Sequence, residues 1–182
     1  MLFSETKLKG AFLIHPEKRE DHRGFFARVW CKDEFAAHGL NPNLAQANVG
    51  FSKRKGTLRG MHFQLQPYAE CKLIRCTMGL VIDIIVDLRP TSVTHKQWFS
   101  TELSADNRTI LYVPEGVAHG YITLEKDTEL MYQSSQMYAP KHATGVRYDD
   151  PAFQIVWPVS VEVISDADRN WPMYQLQVES HQ

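Results

Sequence analysis

The sequence lacks what would mark it for a membrane, a secretory route or a nucleic acid. Its most apolar run, residues 80–86 (Leu-Val-Ile-Asp-Ile-Ile-Val), contains a carboxylate. It also falls well short of the roughly 20 residues a helical crossing needs. The opening residues, Met-Leu-Phe-Ser-Glu-Thr-Lys, carry charges where a signal peptide needs an apolar core. Cysteine is scarce: Cys31, Cys71 and Cys76 form neither an even disulfide framework nor a Cys-x-x-Cys pair. That usage fits a reduced, cytoplasmic setting. The 20 Lys and Arg nearly balance the 21 Asp and Glu, so no overall field favours nucleic acid or an anionic membrane. An anionic ligand must therefore be met by a local cluster of cations. Repeats, low-complexity tracts and linkers are missing as well. At 182 residues and 43 % hydrophobic content, one continuous domain, residues 1–182, is expected, with a real core.

What is present is a series of short segments rich in β-branched and aromatic residues. The composition predicts strands over 25–30, 57–64, 72–76, 80–88, 98–103, 109–113, 121–124 and 129–133. Turn signals such as Met78-Gly79, Arg89-Pro90 and Pro114-Glu115-Gly116 fall between them. Residues 32–38 read as a helix ended by Gly39, and Ser165 reads as the N-cap of a short helical turn through Asp168. Many short strands with few helices indicate an all-β antiparallel sandwich or jelly-roll barrel. Strand parity then becomes informative, because alternate residues face the interior. Lys72 shares a face with Ile74 and Cys76, and Tyr132 with Leu130. Asp83 stands among Val81, Ile85 and their neighbours, where a buried carboxylate needs a partner such as His119 or Arg59.

Two segments are dense in chemistry: Arg59-Gly60-Met61-His62-Phe63-Gln64 and Pro114-Glu115-Gly116-Val117-Ala118-His119-Gly120. Taken singly, each histidine reads equally well as a hydrogen-bonded core residue. Taken as a pair, they raise the question of a metal. A His-x-His pair is missing, since Phe63-Gln64 follows His62, and Glu70 is the nearest extra donor. Two histidines make a poor transition-metal site, because three protein ligands are usual even where one position stays open.

The set Asp21-His22-Arg23-Gly24-Phe25-Phe26, Gln46-Ala47-Asn48, residues 58–64, residues 72–76, residues 114–120 and Asp149-Asp150-Pro151 resembles the dTDP-4-dehydrorhamnose 3,5-epimerase family. The motifs follow the family's order from about residue 5 to residue 172. The resemblance implies a cupin-like jelly roll working without metal or cofactor. It implies a homodimer whose partner strand completes the nucleotide site. The implied substrate is a nucleotide-linked 4-keto-6-deoxy sugar, inverted at C3 and C5. By the same resemblance His62 is the base and Asp168 orients it; Lys72 stabilises the oxyanion, and Tyr132 is the acid on the opposite face. Arg59 and His119 line the sugar and phosphate end. Arg23 binds the diphosphate with Phe26 beside it, Gln46 and Asn48 belong to the substrate-binding set, and Tyr138 stacks near the nucleotide. Histidine suits the role of base because its ordinary pKa is about 6.5. The sequence departs from the pattern at the nucleotide end: Arg28 and Thr144 stand where glutamates are usual, and Ala167 replaces a lysine. A guanidinium for a carboxylate reverses charge and turns acceptors into donors. Either the same thymidine nucleotide is held by rearranged contacts, or another base is used.

Overall fold

The computed structural model describes residues 1–174. Two antiparallel sheets face each other. The first has the order β1 (Leu2–Glu5), β2 (Phe12–His15), β10 (Ile110–Val113), β7 (Lys72–Met78), β12 (Thr128–Ser134) and β5 (Gln46–Ser52). The second runs β13 (Ala143–Gly145), β6 (Leu58–Gln64), β11 (Val117–Thr123), β8 (Leu80–Asp87) and β9 (Trp98–Ser104). Strands β5 to β12 alternate between the sheets except at the β8–β9 hairpin, with β5 beside β12, β6 beside β11 and β7 beside β10. This nested pairing is that of a jelly roll. A separate hairpin, β3 (Arg19–Asp21) with β4 (Gly24–Phe26), forms a two-stranded sheet of its own.

Alternation divides the apolar residues among three cores. Between the sheets lie Ile74, Cys76, Leu111 and Leu130 from one wall and Val81, Ile85, Leu103 and Val117 from the other. The outer face of the second sheet is covered by the chain after β13, through Val146, Phe153 and Tyr174. The outer face of the first is covered by α1 (Lys32–Ala37) through Phe35, with Val29 and Trp30. Each sheet thus buries both faces at least in part, which explains the nearly unbroken apolar run of β8.

The predicted strand over 25–30 is corrected: β4 ends at Phe26. Val29 and Trp30 instead turn inward to pack under the first sheet. Gly39, with φ +69°, follows α1 in the left-handed conformation that its lack of a Cβ permits. The turn expected after Ser165 is α2 (Asp166–Arg169), whose Ser165 side chain accepts a hydrogen bond of 3.0 Å from the Asp168 N–H. All three cysteines are free.

Candidate active site

The polar residues flagged on apolar strand faces converge between the sheets. The key is a bulge in β6. Arg59 pairs with Tyr121 and His62 with His119, so Gly60 and Met61 together oppose Gly120 alone. An extra residue in one strand re-aims the side chains around it. Arg59 and His62, three apart in sequence, therefore both share the face of His119 and Tyr121. The strands approach closely at this point. A Cβ on Gly60 would lie 2.5 Å from the Gly120 Cα, and one on Gly120 would lie 2.5 Å from the Met61 sulfur.

His62 Nε2 lies 2.6 Å from Asp168 Oδ1. Asp168 is delivered by α2, and its second oxygen accepts the Gly60 N–H at 3.4 Å. Burial acts to raise this carboxyl. The hydrogen bond and charge of His62 outweigh burial, with help from the Gly60 N–H, and hold it below the usual carboxylate range. Trp171 closes the outer side of the pair: its ring stands edge-on to His62, with centroids 6.1 Å apart, and occupies the space a side chain on Gly145 would need. The indole N–H is buried near Asp168 without a hydrogen bond of ordinary geometry, yet it helps to lower the carboxyl.

On the same wall, His119 Nε2 lies 2.8 Å from Asp83 Oδ2. Asp83 is fully buried and its other oxygen has no partner among the described residues. Burial drives its pKa upward, and His119 and Lys72 only partly offset that. From the facing wall come Lys72 and Tyr132. Lys72 Nζ lies 3.1 Å from Glu70 Oε1 and donates to the His62 carbonyl at 3.1 Å. Tyr132 has its phenol raised above the ordinary value by burial first and the Glu70 charge second, with Arg59 opposing.

Beside Tyr132 runs the inner face of β5. Asn48 is the direct neighbour of Tyr132, and Gln46 that of Ser134. Gln46 accepts the Tyr138 N–H at 2.6 Å, which ties the exposed Tyr138 to this edge. Arg59 donates to the Phe51 carbonyl at 3.0 Å and reaches Ser52 Oγ at 3.5 Å. Thr144 pairs with Phe63, one position out of phase with the Gly145–His62 pair, so it faces away from His62.

Arg23, Phe26 and Arg28 are not brought to this cluster. Arg23 is exposed and paired with Asp21 at 2.6 Å, and Phe26 is 71 % exposed. Arg28 is paired with Glu34 of α1 at 2.7 Å, and Glu34 also takes the amino group of Met1. Residues not singled out from the sequence as site members are Trp171, Tyr121 and Glu70. Tyr121 had a signal, since it shares the parity of His119. Trp171 had none, because its place depends on how α2 packs. From the sequence Glu70 reads only as a spare metal donor, whereas in the structure its partner is Lys72. Among the described residues no three His, Cys, Asp or Glu side chains converge on a point suited to a metal ion.

The site can remove a proton with a carboxylate-backed imidazole, balance developing negative charge with an ammonium, and return a proton from a phenol on the facing wall. Comparison with known proteins points to one family. The family model described as dTDP-4-dehydrorhamnose 3,5-epimerase matches residues 5–175. A protein of that name from Sinorhizobium fredii is 40 % identical, covering 94 % of this chain and 89 % of its own. A dTDP-4-dehydrorhamnose 3-epimerase from Streptomyces niveus is 38 % identical, covering 90 % of this chain and 79 % of its own. Among solved structures, dTDP-4-dehydrorhamnose 3,5-epimerase from Bacillus anthracis with TDP and PPi bound superposes with a TM-score of 0.90 at 41 % identity, covering 94 % of this chain and 98 % of that one.

Proposed function

We infer function from kinship and chemistry together: the chain belongs to the dTDP-4-dehydrorhamnose 3,5-epimerase family. It is an isomerase that inverts C3 and C5 of a dTDP-linked 4-keto-6-deoxy sugar, converting dTDP-4-dehydro-6-deoxy-D-glucose to dTDP-4-dehydro-L-rhamnose. The hydrogens at both carbons are acidified by the C4 carbonyl. In our reading His62 takes a proton, and the C–H electron pair moves to leave an enolate at the C4 oxygen. Asp168 stabilises the imidazolium so formed. Acid–base help of this kind is typically worth about 10²–10⁴-fold. Lys72 balances the charge arriving on the oxygen, and a cation fixed in advance costs no reorganisation at that moment. Tyr132 gives a proton to the opposite face, and exchange with solvent resets both groups before the second carbon reacts.

One observation carries this reading. His62, backed by Asp168 of α2, belongs to the second sheet and Tyr132 to the first, so base and acid reach the space between the walls from opposite sides. Inversion requires that arrangement, whereas simple binding of a sugar nucleotide does not.

We also read the working unit as a cytoplasmic homodimer. Arg23 and Phe26 sit exposed on a hairpin away from His62, so a nucleotide held by both sets needs a hairpin from a second copy. The test of the reaction is incubation with dTDP-4-keto-6-deoxyglucose in D₂O, with NMR at C3 and C5. Deuterium at both carbons is expected. Deuterium at C3 alone would mean a 3-epimerase, and none at either carbon would remove the catalytic reading.

A further inference from the structure

We propose that Glu70 is a positioning residue for the reaction: its carboxylate pins the Lys72 ammonium and sets the charge beside Tyr132. The inference rests on the roles of Lys72 and Tyr132 given above and adds a residue to them.

Glu70 stands at the end of the connection from β6 into β7, two residues before Lys72. The ion pair between them spans 3.1 Å, with both side chains only 10 % exposed. A lysine ammonium has three N–H donors. One is donated to the His62 carbonyl at 3.1 Å, and the ammonium lies 3.1 Å from the Glu70 carboxylate, which leaves N–H capacity for an incoming oxygen. The carbonyl acceptor belongs to the residue read as the base, so Lys72 is placed relative to His62 by a direct contact. An ammonium this enclosed would be costly without a counter-charge. Glu70 supplies that charge and restricts the head group to one orientation.

The same carboxylate stands near Tyr132: Lys72 is paired with Ser134 and Tyr132 with Ile74, so the Glu70–Lys72 ion pair lies diagonally across the same face of the sheet from the phenol. A negative charge near a phenol disfavours the phenolate, and here it adds to the effect of burial. The other groups near Tyr132 are the Lys72 ammonium on its own sheet and, on the second wall, Tyr121 and the charges of Arg59, His62 and His119. Arg59 opposes Glu70, whereas His62 and His119 each carry their own carboxylate, Asp168 and Asp83. Glu70 therefore favours the protonated form, which is the form a proton donor must have.

A merely structural ion pair at a loop end would leave the pH behaviour of Tyr132 alone, and this is the point to test. Glu70→Gln keeps the shape and an acceptor for Lys72 while removing the charge. Both consequences of the change, loss of the carboxylate and an uncompensated ammonium, push Tyr132 towards ionisation. The basic limb of product formation is expected to fall by about half a pH unit or more. Deuterium exchange, which draws on Lys72 as well as His62, should fall by about threefold or more at neutral pH as the ammonium loses its fixed counter-charge. Glu70→Asp, which retains the charge, should bring the limb back towards the wild-type position. Independently of turnover, the ultraviolet titration of Tyr132, isolated as the difference from matched Tyr132→Phe proteins, should move down by the same amount in Glu70→Gln. An unmoved limb together with an unmoved phenol titration would overturn the proposal. Absence of exchange in the wild-type protein would sink the roles given to Lys72 and Tyr132, while the optical titration would still decide whether Glu70 sets the charge at the phenol.

Discussion

Inversion at carbon requires a proton to leave one face and another to arrive on the opposite face, and one side chain cannot readily do both. The Tyr132→Phe variant separates these halves. Phenylalanine preserves the ring packing against the core between the sheets. With His62 as the proposed base, the enolate still forms and then recaptures a proton on its original face. In D₂O, recovered substrate should gain deuterium while inverted product falls by about tenfold or more, since water in a closed site is a poor replacement for a fixed phenol. Unchanged product would transfer the acid's role to another group. His62→Ala, by contrast, should abolish exchange at both carbons and leave calorimetric dTDP affinity within about threefold, because the imidazole acts on the sugar. Retained exchange would remove His62 as base. At this scale most of the candidate site is legible in the sequence alone. Lys72 and Tyr132 are conspicuous as polar residues sharing faces with Ile74 and Leu130, and Asp83 as a carboxylate inside the apolar run 81–86; all three lie in the space between the sheets. Glu70 and Trp171 are not legible in the same way. Both sit outside regular strands, where parity says nothing about direction, and only tertiary packing puts Glu70 on Lys72 and Trp171 against His62.

The element that makes the site possible is the bulge of β6, and it is sensitive to a single methyl group. Gly60 has φ +136° and donates its N–H to Asp168, and a Cβ there would lie 3.0 Å from the His119 carbonyl as well as against Gly120. Gly60→Ala should therefore destabilise the protein by about 1–3 kcal/mol, seen as a lower urea midpoint with an unchanged slope. It should also reduce deuterium exchange in the fraction that remains folded, because Arg59 and His62 owe their common face to this backbone. Wild-type stability and exchange in the variant would show that the strands can separate locally at no cost. The same link between element and site explains the largest strand that composition did not suggest. In β5 the residues facing inward are Gln46, Asn48, Gly50 and Ser52, whereas Ala47, Val49 and Phe51 face outward and are exposed. That inverts the usual apolar-in, polar-out pattern, and a strand that lines a polar site has reason to invert it. The strands β1 and β2 escaped notice for a plainer reason: each is only 4 residues long and gives little alternation to read. The opposite error, a strand continued to Trp30, arose because Val29 and Trp30 are apolar for a core under the first sheet rather than for a ladder.

For the whole molecule, the question is where the nucleotide end of the site comes from. The hairpin of β3 and β4 stands apart from both sheets, and the ring of Phe25 is flanked by Lys18 and Arg108 rather than by any residue near His62. Arg23 and Phe26 on this hairpin are exposed, so in a lone chain they are spent on solvent. If a second copy brings its hairpin over the first copy's His62, each complete site draws on two chains. Closed two-fold symmetry would then generate two such sites per dimer. Subunit mixing tests this directly. Arg23→Ala should lose most activity through weak substrate binding, and His62→Ala should lose it through the missing base. Suppose the two inactive proteins are mixed in equal amounts under conditions that exchange subunits. Half of the dimers are then mixed, and each mixed dimer has one site carrying both defects and one carrying neither. Activity should return to about a quarter of the wild-type level. A site formed within one chain gives no such recovery, because every chain in the mixture carries a defect of its own. The double variant carrying both changes in one chain provides the control: mixed in equal amounts with wild-type protein, it should leave activity at about a quarter of the wild-type level, about half of what dilution alone gives. Recovery with the separate variants, set against no recovery when Arg23→Ala is mixed with the double variant, would assign the hairpin to the partner's site.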